Sequence, residues 1–113
     1  MKKLTGLMIF IATFGLNPTV FAVEIIGVNT TGKILNYSAT SYGVFIFTVS
    51  NKTAPKACDK TARYAFHSDE AWAKEVIAAV MVAKVTGNTV AVQGAGTCNN
   101  WNNAEDFSHI DVQ

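Results

Sequence analysis

The sequence predicts a mainly β domain with a single helix. Three observations lead there. Residues 44–50 are β-branched or aromatic almost throughout, residues 68–87 switch to helical spacing, and Gly, Asn and Pro stand where each pattern breaks.

Taken in order, residues 23–29 read as a first strand, Thr30, Thr31, Gly32 and Lys33 as a turn, and residues 34–38 as the returning strand of a hairpin. After a loop holding Ser41, Tyr42 and Gly43, the run 44–50 carries apolar side chains at both odd and even positions. That spread predicts a strand buried on both faces. Residues 51–62 are polar, include Pro55 and Cys58, and read as a long loop. Residues 63–66 read as a short strand leading out of it.

In the helical segment Trp72, Val76, Ala79, Val80 and Ala83 share one side, while Asp69, Glu70, Lys74, Glu75 and Lys84 fall elsewhere. Ser68 is the expected amino-terminal cap, with Asp69 and Glu70 in the first turn, and Lys84 followed by Gly87 suits the carboxyl end. Residues 89–93 alternate as a strand, Gly94, Ala95 and Gly96 allow a bend towards Cys98, and residues 107–112 form a last strand after an asparagine-rich loop. The order β-β-β-β-α-β-β, with five or six strands, fits a small Greek-key barrel of the oligonucleotide- and oligosaccharide-binding (OB) type. An α+β sheet with the helix packed on one face is the alternative.

Residues 1–22 have the layout of a cleavable bacterial signal peptide: Lys2 and Lys3 lead, residues 4–15 are a short apolar run, and Val20, Phe21 and Ala22 precede the cut. The run is too short to cross a bilayer as a helix, and Asn17 and Pro18 interrupt it. Cleavage would leave one domain, residues 23–113, secreted or periplasmic and without a membrane span. In it Lys33, Lys52, Lys56, Lys60, Arg63, Lys74 and Lys84 face Glu24, Asp59, Asp69, Glu70, Glu75, Glu105, Asp106 and Asp111, a balance that leaves no electrostatic footprint for nucleic acid or an anionic membrane. Asn29, Asn36 and Asn51 head glycosylation sequons, which carry no meaning behind a bacterial leader.

A domain this small buries little core, so a covalent staple matters. Cys58 and Cys98 are the only cysteines, and in an oxidising compartment they predict one disulfide. The paired spacings of a metal site are missing, and a lone nucleophile would leave the second thiol unexplained.

The stretch from Cys58 through Arg63, Tyr64, Ala65 and Phe66, the helix, residues 85–90 and on to Cys98 resembles the B subunits of bacterial AB5 toxins of the subtilase-cytotoxin kind and related small secreted proteins. The resemblance covers roughly the last half of the chain. It implies an OB fold, a pentameric ring and binding of sialylated host glycans. In that family part of the sugar pocket comes from a segment before and at the start of the first strand; a mature start at Val23 leaves little of it, so no sugar-contacting residue is carried over.

From the residues themselves, the candidate ligand surface is Asn99, Asn100, Trp101, Asn102 and Asn103. Side-chain amides that hydrogen-bond hydroxyls flank an indole able to stack on a pyranose face. Tyr37 and Tyr42 add hydrogen-bonding aromatic surface. The competing reading has Trp101 packing over the disulfide while the asparagines solvate a turn.

Enzymatic readings are weaker. His67, Ser68 and Asp69 include triad residue types, but adjacent positions entering a helix do not align a nucleophile, base and orienter. His67 and His109 would need a carboxylate such as Asp106 or Asp111 to hold a metal. Glu105 and Asp106 point to opposite faces of a strand. The bend at Gly94–Gly96 lacks the lysine and helix of a phosphate loop. No cofactor is expected.

Two classes remain: a binding module for a glycan or protein, or a structural or inhibitory protein binding another protein and no small ligand. On the helix, a second face with Ile77, Ala78 and Met81 is a subunit contact if the barrel leaves it uncovered.

Overall fold

The computed structural model describes residues 27–54 and 58–113. The expected signal peptide and most of the expected first strand lie outside the described residues.

Among the described residues five strands and one helix follow in the order β1 (Asn29–Ala39), β2 (Val44–Val49), β3 (Tyr64–His67), α1 (Ala73–Thr86), β4 (Thr89–Gly94) and β5 (Glu105–Val112). The strands close as β1-β2-β3-β5-β4, with β4 returning to β1 and only the β3–β5 pair parallel. This is the five-stranded Greek-key barrel of the OB type, with the helix between the third and fourth strands.

The expected hairpin at residues 23–38 is corrected: residues 29–39 form one strand. Its first half, Asn29 to Lys33, pairs with β4, and its second half, from Ile34 on, pairs with β2 through a bulge between Ile34 and Asn36. Gly32 serves close approach rather than a turn, because a Cβ there would overlap the backbone and hydroxyl of Ser50. A single strand shared between two neighbours in this way is what lets a short sheet curl shut.

As expected, β2 is buried on both faces. Phe45, Phe47 and Val49 enter the interior cluster with Ile34, Tyr64, Phe66, Val90, Val92 and Phe107, while Val44 and Ile46 join Ala65 and Ala104 in a second cluster on the outer face. Inside, Phe47, Phe66 and Phe107 form a triangle of rings with centroids 5.3–6.4 Å apart in tilted and edge contacts.

The helix buries Ala73, Val80 and Ala83 against the interior, with Val76 and Ile77 half-covered. Its expected start is corrected as well. Ser68 is no cap: its hydroxyl donates to the Gly43 carbonyl at 3.0 Å, holding β3 to the β1–β2 loop. The helix instead begins after Trp72, whose ring sits 5.3 Å from Phe66 and 5.7 Å from Phe107, so tertiary packing sets the start. The carboxyl end is as expected: Gly87 is left-handed, at φ 72°, and its N–H returns to the Ala83 carbonyl.

Candidate functional site

The loop between β4 and β5, residues 95–104, folds back over the outer face of β2 and β3. There Trp101 packs half-buried on Val44, Ile46, Ala65 and Ala104. From the opposite end of the barrel the β1–β2 loop, residues 40–43, brings up Tyr42. Tyr42 is 79% exposed and its ring centroid lies 6.1 Å from that of Trp101. Two loops far apart in sequence thus build one aromatic ledge. Beside it Cys98, Asn99, Asn100, Trp101 and Asn102 line a shallow depression of about 340 Å³.

The asparagines divide into two pairs. Asn100 donates its side-chain amide to the Ala65 carbonyl at 3.2 Å, and Asn103 accepts from the Arg63 guanidinium at 2.9 Å, so both are engaged by the fold. Asn99 and Asn102 are exposed and present their amides outward. Tyr37 does not join them: it stacks on Phe45 at 5.6 Å, on the other face of β2 from Trp101.

The loop's shape is set from β5, which begins two residues earlier than the sequence suggests and so includes Glu105 and Asp106. Asp106, 7% exposed, accepts from the Thr97 hydroxyl at 2.6 Å, from Asn99 N–H at 2.9 and 3.0 Å, and from Asn100 N–H at 2.9 Å. Glu105, on the opposite face, accepts from Gly96 N–H and Val28 N–H, each at 2.9 Å. Gly94 leaves the room this needs, since a Cβ there would overlap the Glu105 carboxylate. The disulfide Cys58–Cys98 is formed and ties the same loop to the one before β3.

A buried charge cluster supports the loops from below, and sequence reasoning missed it. Lys52 Nζ stands 2.7 Å from Asp59 Oδ2 and 2.9 Å from Glu105 Oε1, with all three side chains excluded from solvent, and lies 4.4 Å from the centre of the Tyr64 ring. The Tyr64 hydroxyl donates to the Val28 carbonyl at 2.7 Å, leaving the Thr30 hydroxyl, 2.9 Å away, to donate to it. Burial pushes the Tyr64 phenol up to about 12; the Thr30 hydrogen bond opposes the rise and the Glu105 and Asp59 carboxylates add to it. A lysine and an aspartate in a polar, cysteine-bearing loop read as solvated. The only hint was that both stand within a few residues of the staple.

The other candidates remain scattered. His67 is half-buried at the end of β3 opposite Val44, Ser68 is held by Gly43, and Asp69 is exposed. His109 Nε2 lies 3.2 Å from Asp111 Oδ2 on the open surface of β5. Among the described residues no three His, Cys, Asp or Glu side chains are grouped as metal ligands, and no helix is long and apolar enough to cross a membrane. On the helix Ile77 packs on the core, whereas Ala78 and Met81 are exposed, Met81 together with Val82 and Val85. No family model, curated protein or solved structure matches the chain.

Proposed function

We propose that this chain is an exported, non-enzymatic binding module that seats a saccharide on Trp101 and Tyr42, with the free amides of Asn99 and Asn102 reading its hydroxyls. The observation that carries the reading is the meeting of the β1–β2 and β4–β5 loops over the outer face of β2 and β3. OB barrels take oligonucleotides and oligosaccharides at that place. The near balance of acidic and basic residues speaks against a polyanion, and an indole beside amides suits the apolar face and hydroxyl rim of a pyranose.

The resemblance to toxin B subunits belongs to this reading: it would make the chain one member of a ring of about five, secreted with a partner. The test is binding of the mature, oxidised protein to a printed panel of neutral and acidic oligosaccharides. Retention that Trp101→Ala and Tyr42→Ala abolish, and Tyr37→Ala leaves intact, is the expected result. A panel that retains nothing, or retention indifferent to Trp101, sinks the reading.

A second reading, a protein that binds another protein and no small ligand, draws on the exposed Met81, Val82 and Val85 of the helix. It predicts that Val82→Glu and Val85→Glu change the mass in light scattering or the yield of a copurifying partner, while saccharide panels stay blank.

A further inference from the structure

We propose that Asp106 is the positioning residue of the ligand face, holding Trp101, Asn99 and Asn102 in binding geometry without touching ligand; this rests on the saccharide-binding reading. The side chain does no work in the barrel itself. β5 pairs with β3 and β4 through its backbone, and the Asp106 carboxylate points away from the interior to the loop.

Its oxygens there take donors from three residues, Thr97, Asn99 and Asn100, the last two being consecutive backbone N–H groups directly before the indole. The Asp106 N–H adds a bond to the Thr97 carbonyl at 2.7 Å, and Ala95 N–H bonds the Asp106 carbonyl at 2.9 Å. Such a turn needs an acceptor-only group at its centre. A neutral amide of the same shape would turn a donor towards the Asn99 N–H, which bonds both carboxylate oxygens, and charge-assisted bonds are among the strongest the fold has.

The consequence is directional. With Asn99 and Asn100 fixed by their backbones, the Asn100 amide reaches Ala65, Trp101 lies on Val44 and Ile46, and Asn99 and Asn102 on either side of them stand exposed. Freed from Asp106, the same residues retain the disulfide at Cys98 but lose the turn that aims them.

The experiment compares Asp106→Asn and the milder Thr97→Val with the parent protein, in a Trp72→Phe background so that Trp101 is the sole indole. Amide exchange at Asn99 and Asn100 is expected to quicken by on the order of tenfold to a hundredfold in Asp106→Asn, with acrylamide quenching of Trp101 rising and exchange at Phe47 and Val92 unchanged. Affinity for whichever panel saccharide the parent retains should fall at least about tenfold. Thr97→Val should shift each readout in the same sense by less.

Unchanged exchange and quenching in Asp106→Asn overturn the proposal, as does loss of protection at Phe47 and Val92 together with the loop. Loosening without loss of affinity overturns it too. A parent protein that binds no saccharide defeats the saccharide reading and with it the ligand role of Asp106, while exchange and quenching still report whether the carboxylate fixes the loop.

Discussion

Lys52 Nζ lies 2.9 Å from Glu105 Oε1 in a site closed to solvent, and it is the cation between two buried carboxylates, Glu105 and Asp59. Through Glu105 the lysine also steadies Val28 and Gly96, and through Asp59 it braces the loop that carries Cys58. Lys52→Met leaves both carboxylates buried without their counter-charge and is expected to cost about 3–5 kcal/mol in a urea titration of the oxidised protein. Replacing Lys52, Asp59 and Glu105 together by apolar residues of similar size should recover only part of that loss, because the Val28 and Gly96 N–H groups then lose their acceptor. A single mutant as stable as the parent would show that the cluster opens to water in solution.

Tyr64 makes stability sensitive to alkali. Its phenol titrates at about 12 in the folded chain and near 10 when unfolded, so between these values the folded state holds the extra proton. Stability is therefore fully present below pH 10 and falls as pH rises towards 12, by about 2–3 kcal/mol from this group. Tyr64→Phe should flatten that part of the stability curve, although it also removes the bonds to Val28 and Thr30 and lowers the plateau. Equal slopes in parent and variant would remove Tyr64 as the cause.

Much of the fold is legible in the sequence where one local signal meets no competitor. β2 declares itself because every position is apolar or β-branched, and Gly87 ends the helix because nothing else there accommodates a positive φ. The signals that mislead are real propensities overridden from a distance. Thr30 to Lys33 looks like a turn until Ser50 comes close enough that only Gly32 fits, and Ser68 looks like a cap until Gly43 claims its hydroxyl.

The site divides along the same line. That Trp101 and its asparagines share one loop is local and can be read directly. That Tyr42 joins them while Tyr37 does not depends on which face of β2 each loop or strand crosses, and the closure of the barrel decides it. Lys52, Asp59 and Glu105 are each ordinary surface residue types, and only their convergence from separate parts of the chain makes them a core.

Gly94→Ala tests how closely the barrel is built around Glu105. The added methyl must displace the carboxylate that holds Val28, Gly96 and Lys52, and overpacking of this kind is expected to cost about 2–3 kcal/mol. Gly87→Ala meets no neighbour and should cost about 1 kcal/mol, from its left-handed backbone alone. Thermal melts of the two variants should keep that order; the reverse order would mean that Glu105 yields easily.

The disulfide and the buried charges hold the same two loops, and their contributions separate by denaturation. Cys58 and Cys98 are 40 residues apart in the chain, and closing a loop of that length stabilises by about 4 kcal/mol. The Cys58→Ser, Cys98→Ser double variant should therefore unfold at lower urea by that amount, while exchange at Asn99 and Asn100 changes little as long as Asp106 still accepts their N–H groups. Lys52→Met in the same background should add its loss nearly in full if the two restraints act on different states, the crosslink on the unfolded chain and the ion cluster on the folded one. A loss well below the sum would mean instead that Lys52 can act only once the crosslink has brought its loop into place.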